Sequence, residues 1–237
     1  MQQTPPATET LRKPLDSEVL GQCVSFPKSG RTWLRVMLDE LAVNLRYVHA
    51  GGAHQNALPV DRLPQPGMFL GKLKTVFLHR DPRDVVVSGY FQATKRIGVY
   101  NGTISDFLRD PAHGLLKVVV YNRRWLRAAE NRDDICVVTY EGMHADVGAE
   151  LRRILHFFGQ PADPEKLKNA IEAGRFETMK EAEARGQYEQ YGKRLRPGQV
   201  DDPESFKVRR GKVGGYVDYF SAEDIAFCDE VMAQDWA

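Results

Sequence analysis

A lysine, a glycine and two hydroxyls crowd into one short stretch, Phe26-Pro27-Lys28-Ser29-Gly30-Arg31-Thr32-Trp33. Where such a bend joins a buried strand to a helix, it aims backbone N–H groups and the positive end of the helix dipole at one point. Gly30 lets the backbone approach an oxygen closely, Lys28 adds a mobile full charge, and Ser29 and Thr32 add hydroxyl donors. The chemistry this set suits is the cradling of a phosphate-like anion. It is not the GxxxxGK[ST] nucleotide loop, because its lysine precedes the glycine and the glycine-rich lead is missing. A second set is Arg80-Asp81-Pro82-Arg83-Asp84-Val85-Val86-Val87-Ser88. Arg80 closes an apolar run, and Ser88 falls two turns into the helix that follows. A guanidinium fork and a hydroxyl there suit another phosphate; the plainer alternative is an Arg80 that pairs with Asp81 or Asp84.

These groups need elements to hold them. Residues 22–26 predict a first buried strand, and Trp33, Leu34, Met37, Leu38, Leu41 and Leu45 recur at helical spacing behind the bend. Residues 75–79 predict a second strand, with Asp81 as helix N-cap and Pro82 at the first helical position. A helix is expected over 115–130 and a strand over 135–139. Further helices follow from about 146 to 158, stopped by Gly159, and from 163–164 to 173, stopped by Gly174. Ser221 to Asp224 caps a last helix. Short apolar runs alternating with helical patterns predict an α/β fold, a three-layer sandwich with a central, mostly parallel sheet flanked by helices. Residues 185–215 hold six glycines and little periodicity, and read as a long loop of the kind that forms lids.

The chain has 237 residues, 42% of them apolar, enough for one large domain: a flexible segment over 1–15 and a single domain over 16–237. Its 33 lysines and arginines nearly balance 32 acidic residues, so any anion site is local, and a nucleic-acid partner is not expected. Cys23, Cys136 and Cys228 are far apart and odd in number, and read as buried reduced thiols. No apolar stretch is long enough to span a bilayer. The polar, proline-containing start lacks a secretory pattern, so the expected location is cytoplasmic.

The PKSGRTW loop resembles that of the PAPS-dependent sulfotransferases, the cytosolic-type sulfotransferase domain, in a short, bacterial-like member. In that family the loop binds the 5′-phosphosulfate of the donor. Arg31 departs from the family, which commonly has threonine or a small residue there. Arg80 followed by Ser88 resembles the family's 3′-phosphate motif. Tyr140 in VVTYEGM takes the place of a tyrosine that contacts adenine, Phe176 in RFETMK that of an aromatic stacked on the base, and Trp33 forms another wall of that slot. Arg209-Arg210-Gly211-Lys212-Val213-Gly214 resembles the loop that closes over the 3′-phosphate, although Gly215-Tyr216 replaces the usual Asp-Trp.

The resemblance implies transfer of a sulfuryl group from 3′-phosphoadenosine 5′-phosphosulfate (PAPS) to a hydroxyl or amine, leaving adenosine 3′,5′-bisphosphate and needing no metal. Lys28 would stabilise charge on the departing oxygen while Ser29, Gly30 and Thr32 hold the 5′-phosphate. The family uses a histidine as general base. His49, directly after Tyr47-Val48, is preferred to His54, because it falls at a strand's carboxyl end. His113, His144 and His156 fall outside the matched motifs. Other readings are a P-loop nucleotide kinase and a non-catalytic nucleotide-binding protein. The acceptor, small molecule or glycan, and the oligomeric state stay open.

Overall fold

A computed structural model describes residues 19–53, 57–187, 206 and 208–236. The 1–15 segment, His54 and residues 188–205 of the expected long loop lie outside the described residues. Strands β1 (Gly21–Ser25), β2 (Leu45–Val48), β3 (Lys74–His79) and β4 (Ile135–Thr139) form one sheet in the order β2-β1-β3-β4, and every pairing is parallel. Side chains alternate across this sheet, as a strand's two-residue period requires. Cys23, Val76, Leu78, Cys136 and Val138 face one apolar cluster, and Val24, Phe77, Ile135 and Val137 face the other.

Each cluster is closed by helices. On the first face lie α1 (Arg31–Glu40) and, numbered ahead in chain order, α6 (Val147–Phe157) and α7 (Pro164–Ala173). On the second lie α2 (Pro82–Phe91), α3 (Ile104–Arg109), α4 (Leu115–Ala129) and α9 (Ala222–Ala233). Two short helices, α5 (Tyr140–Ala145) and α8 (Phe176–Ala184), complete the described set. The chain leaves β1 toward one face through α1 and leaves β3 toward the other through α2. β1 thus has β2 on one side and β3 on the other, and a crevice opens beyond the strands' carboxyl ends, where such sheets bind ligands.

Several boundaries differ from the sequence reading. Phe26 lies beyond β1 yet is fully buried; apolar burial marks core position, not strand pairing. Leu45, expected on the helix behind the bend, is in β2, because a turn at Leu41–Ala42 with Ala42 at φ 56° ends α1 first. α2 runs into a π-helical turn over Gln92–Ile97, and helices α3, α5 and α8 occupy stretches that carry too little periodicity to announce them. The caps behave as their sequences indicate: the Asp81 side chain accepts from Arg83 N, and Ser221 and Asp224 form a capping box. Cys23 and Cys228 are buried free thiols, pushed up to about 12 by burial. No helix among the described residues is long and apolar enough to cross a membrane.

Candidate active site

The bend after β1 is held in an uncommon backbone conformation. Lys28 has φ 74° and Gly30 has φ 96°, both left-handed. A lysine there stores backbone strain, which in folded proteins clusters at sites that bind or react. Gly30 is required twice over. Besides its φ, a Cβ at this position would stand 2.5 Å from Cδ2 of Tyr140. α1 then starts with no side-chain cap and no acidic residue in its first turn, which leaves its leading amides to an anion.

The bend opens onto a cavity of about 570 Å³. Lys28, Gly30, Arg31, Thr32, Trp33, His49, Arg80, Ser88, Tyr140, Phe176, Arg209, Arg210 and Gly211 all line it. Ser29 does not: it is fully buried, and its Oγ has no hydrogen-bond partner among the described residues. The bend alternates, turning Lys28 and Gly30 outward and Ser29 into the protein. The hydroxyl expected as an anion donor is therefore beneath the cradle, and the Ser29 backbone N–H is held at 3.4 Å from Phe26 O.

Across the crevice, Arg80 follows β3 directly. Its Nη2 lies 3.3 Å from Asp84 Oδ2 and donates to Lys212 O at 2.8 Å, and its guanidinium lies 4.0 Å from the Tyr140 ring centroid. Of the two carboxylates that compete for Arg80 in the sequence, Asp84 is the partner; Asp81 is taken by Arg83 at 2.7 Å. Arg80 Nε is buried with no hydrogen-bond partner among the described residues. Asp84, itself buried, accepts from Gly214 N at 2.8 Å and Tyr216 N at 2.9 Å. One carboxylate thus fastens the 208–218 loop to α2 beside the arginine.

The aromatic wall is built by packing. Trp33 meets Tyr140 edge to face at 5.4 Å, and His144 lies 4.8 Å from Trp33 and 4.6 Å from Tyr140. Gly211, at φ 60°, lies so close to Phe176 that a Cβ would approach its ring at 2.8 Å. Arg209 lies 4.5 Å from the Phe91 ring centroid, and Arg210 pairs with Asp218 at 3.0 Å. The loop is held from below as well: Val208 N donates at 2.8 Å to buried Glu183, whose carboxylate is 3.5 Å from Arg96 of the π-helical turn. Burial lowers the Arg96 pKa against the opposing pull of Glu183.

At the other end of the cavity, His49 follows β2. Its Nδ1 is 3.0 Å from Ser25 O and its Nε2 is 2.7 Å from Arg31 Nη2. Lys28 Nζ donates to Gln92 Oε1 at 3.2 Å. Three cavity residues stand one helical turn beyond residues named from the sequence motifs: Arg35 after Arg31, Gln92 after Ser88 and His144 after Tyr140. The i, i+4 relation puts such pairs on one face, so spacing alone carried this signal. His144 is held below its ordinary pKa by burial first and by Arg80 second.

Among the described residues, eight lysine and arginine side chains line the cavity (Lys28, Arg31, Arg35, Arg80, Arg175, Arg209, Arg210 and Lys212) against one carboxylate, Asp84. In a chain with a formal charge of +1, this is a local anion site. The residues fit a nucleotide bearing two phosphates. The cradle at Gly30 admits no side chain, Arg80 keeps an orphaned donor, and aromatic rings stand between the two cationic regions.

A model of the sulfotransferase domain matches residues 55–237. The chain belongs to the sulfotransferase family. Human sulfotransferase 2B1 is 31% identical over 165 residues, which are 67% of this chain and 43% of that protein. The 3-beta-hydroxysteroid sulfotransferase of Cavia porcellus is 26% identical over 187 residues, which are 76% of this chain and 61% of that protein. The sulfotransferase match thus spans about half the length of these relatives. Among solved structures, mouse sulfotransferase SULT7A1 complexed with PAP superposes with a TM-score of 0.63 at 18% identity, covering 91% of this chain and 83% of that one. Retinol dehydratase in complex with androsterone and inactive cofactor PAP gives 0.65 at 17% identity, over 89% and 78%. These two likenesses bear on the fold.

Proposed function

We propose that this protein transfers a sulfuryl group from PAPS to the hydroxyl of a small-molecule acceptor. The observation that carries the reading is the single cavity into which the Lys28–Thr32 bend, Arg80 with its orphaned Nε, and His49 all open. The Tyr140 ring packs against both the Gly30 position and the Arg80 guanidinium, which suits a nucleotide with phosphates at both ends.

When bound, PAPS supplies the activated sulfuryl group and a leaving phosphate. The chain's own residues do the rest. Gly30, Thr32 and the leading amides of α1 hold the 5′ end, and Lys28 opposes charge that grows there. Arg80 and Ser88 hold the 3′-phosphate, with Arg209, Arg210 and Gly211 closing over it. Trp33, Tyr140 and Phe176 clasp the base. His49 takes the proton from the acceptor hydroxyl. Val87, Ile97 and Ala53 add apolar side chains to the cavity lining, where an acceptor's carbon skeleton can pack. A hydroxysteroid sulfotransferase among the relatives supports a small alcohol as acceptor, and the cavity volume falls within the usual range for small-molecule sites.

The test is sulfonation of a panel of phenols, steroid alcohols, amines and sugars with labelled PAPS, alongside calorimetric titration with adenosine 3′,5′-bisphosphate. Lys28→Met is expected to cut turnover about 100- to 1,000-fold, the cost of removing one preorganised charge donor, while Arg80→Ala weakens bisphosphate binding. Binding of the bisphosphate with no label transferred to any acceptor would instead favour a nucleotide-binding protein without catalysis.

A further inference from the structure

Arg31 stands where a small side chain would leave the bend open, and its guanidinium does something specific. Its Nη2 is 2.7 Å from Nε2 of His49, while Nδ1 of the same ring is 3.0 Å from Ser25 O. A carbonyl oxygen can only accept, and a guanidinium nitrogen can only donate. The two contacts together therefore fix the ring as neutral, with its proton on Nδ1 donated to Ser25 and its Nε2 lone pair turned to Arg31. That lone pair is the one a general base uses, and a lone pair holding a guanidinium proton cannot take one from an acceptor.

The guanidinium is also poorly compensated. It lies among Cys23, Tyr121, Tyr47 and Arg35, neutral or cationic groups from β1, α4, β2 and α1. No carboxylate comes within ion-pair distance of it among the described residues. A half-buried cation bonded to a neutral imidazole is drawn more strongly to an anion, because an ion pair adds the Coulomb attraction of two full charges that a neutral ring does not offer. Arg31 is also the first residue of α1, on the bend that forms the anion cradle.

We propose that Arg31 is a latch on His49: it holds the base's reactive nitrogen while the cradle is empty, and moves to the anion when the sulfuryl donor is seated, so that the base is released only in donor-loaded protein. This rests on the donor reading above. Arg31 is a positioning residue here, acting on the acceptor through His49. The consequence is ordered binding, with the donor first, and protection against an idle base.

The test follows modification of His49 by diethyl pyrocarbonate, which acylates an unprotonated imidazole nitrogen, by mass spectrometry of the His49 peptide. In wild type without ligand, His49 is expected to react slowly. Saturating adenosine 3′,5′-bisphosphate, with binding measured separately by calorimetry, is expected to speed the reaction about tenfold or more, the worth of one hydrogen bond to a charged group. Arg31→Thr is expected to react fast without ligand. If the bisphosphate binds and wild-type His49 reacts no faster, or more slowly, the latch is refuted while the donor reading stands. If the bisphosphate does not bind, the donor reading fails and the latch with it. The wild-type comparison needs no variant to fold.

Discussion

Gly30→Ala probes the bend directly. An alanine at φ 96° adopts a left-handed conformation that costs an L-residue about 1–2 kcal/mol. Its Cβ, 2.5 Å from Cδ2 of Tyr140, forces an overpacked contact that costs about 1–3 kcal/mol more. The sum, about 2–5 kcal/mol, corresponds to a fall in Tm of about 4–20 °C for a chain of this size. The two parts separate in a double-mutant cycle. In a Tyr140→Ala background the ring is gone and the backbone cost stays, so Gly30→Ala should there cost only about 1–2 kcal/mol. Thermal and denaturant unfolding of the four proteins gives the cycle. A Gly30→Ala protein that melts within a degree of wild type refutes the account of the bend. Equal costs in the two backgrounds refute the close approach to Tyr140 and leave only the backbone argument.

Asp84→Asn keeps the side chain's shape but turns an amide toward Gly214 N or Tyr216 N. It is expected to cost about 1.5–3 kcal/mol, the worth of a hydrogen bond to a charged group, and to hasten tryptic cleavage at Arg209 and Arg210. His144 sits below its ordinary pKa in the folded state, so the unfolded chain binds more protons below about pH 6.5. Stability should fall as pH drops through that value, and His144→Gln should flatten the fall in a series of denaturant melts. Lys117 is buried and lowered to about 8 from 10.5, chiefly by burial, with its Nζ donating to Ala112 O. Between those values the unfolded chain holds more protons, so wild-type stability should rise with pH there. Lys117→Met should lack that rise and be relatively more stable at pH 7 than at pH 10, by up to about 3 kcal/mol.

Three of the four strands were legible because they are short, apolar and bounded by turn residues, and because a buried parallel strand needs no alternation to be seen; of the edge strand β2 only the Tyr47-Val48 end was, and Leu45 was not. The bend at Pro27 was legible because glycine and lysine at fixed places serve one physical purpose. What the sequence hid was orientation. Ser29 lies buried beneath the bend rather than among the side chains that line the cavity, which its position along the chain does not reveal. Arg31 announces extra charge, but nothing in one dimension says that the charge lands on a histidine 18 residues away. α8 was missed although Phe176 was named, because Phe176-Glu177-Thr178-Met179 carries little apolar periodicity; Met179 is buried and Glu183 anchors Val208. Arg35, Gln92 and His144 lie outside the motif strings, yet helical spacing puts each one turn beyond a motif residue.

The contact between Arg80 and the carbonyl of Lys212 has a consequence for the rhythm of turnover. Without a nucleotide, the strand-end arginine is already partly satisfied by the backbone of the loop beside it, and by Asp84. A phosphate can meet Nε with no internal bond to displace, but at Nη2 it must trade these bonds for its own, and they stand ready to re-form when it leaves. Under the proposed function, such a site would give up some grip on a spent nucleotide and gain a faster exit for it, an advantage where a cycle waits on release of product.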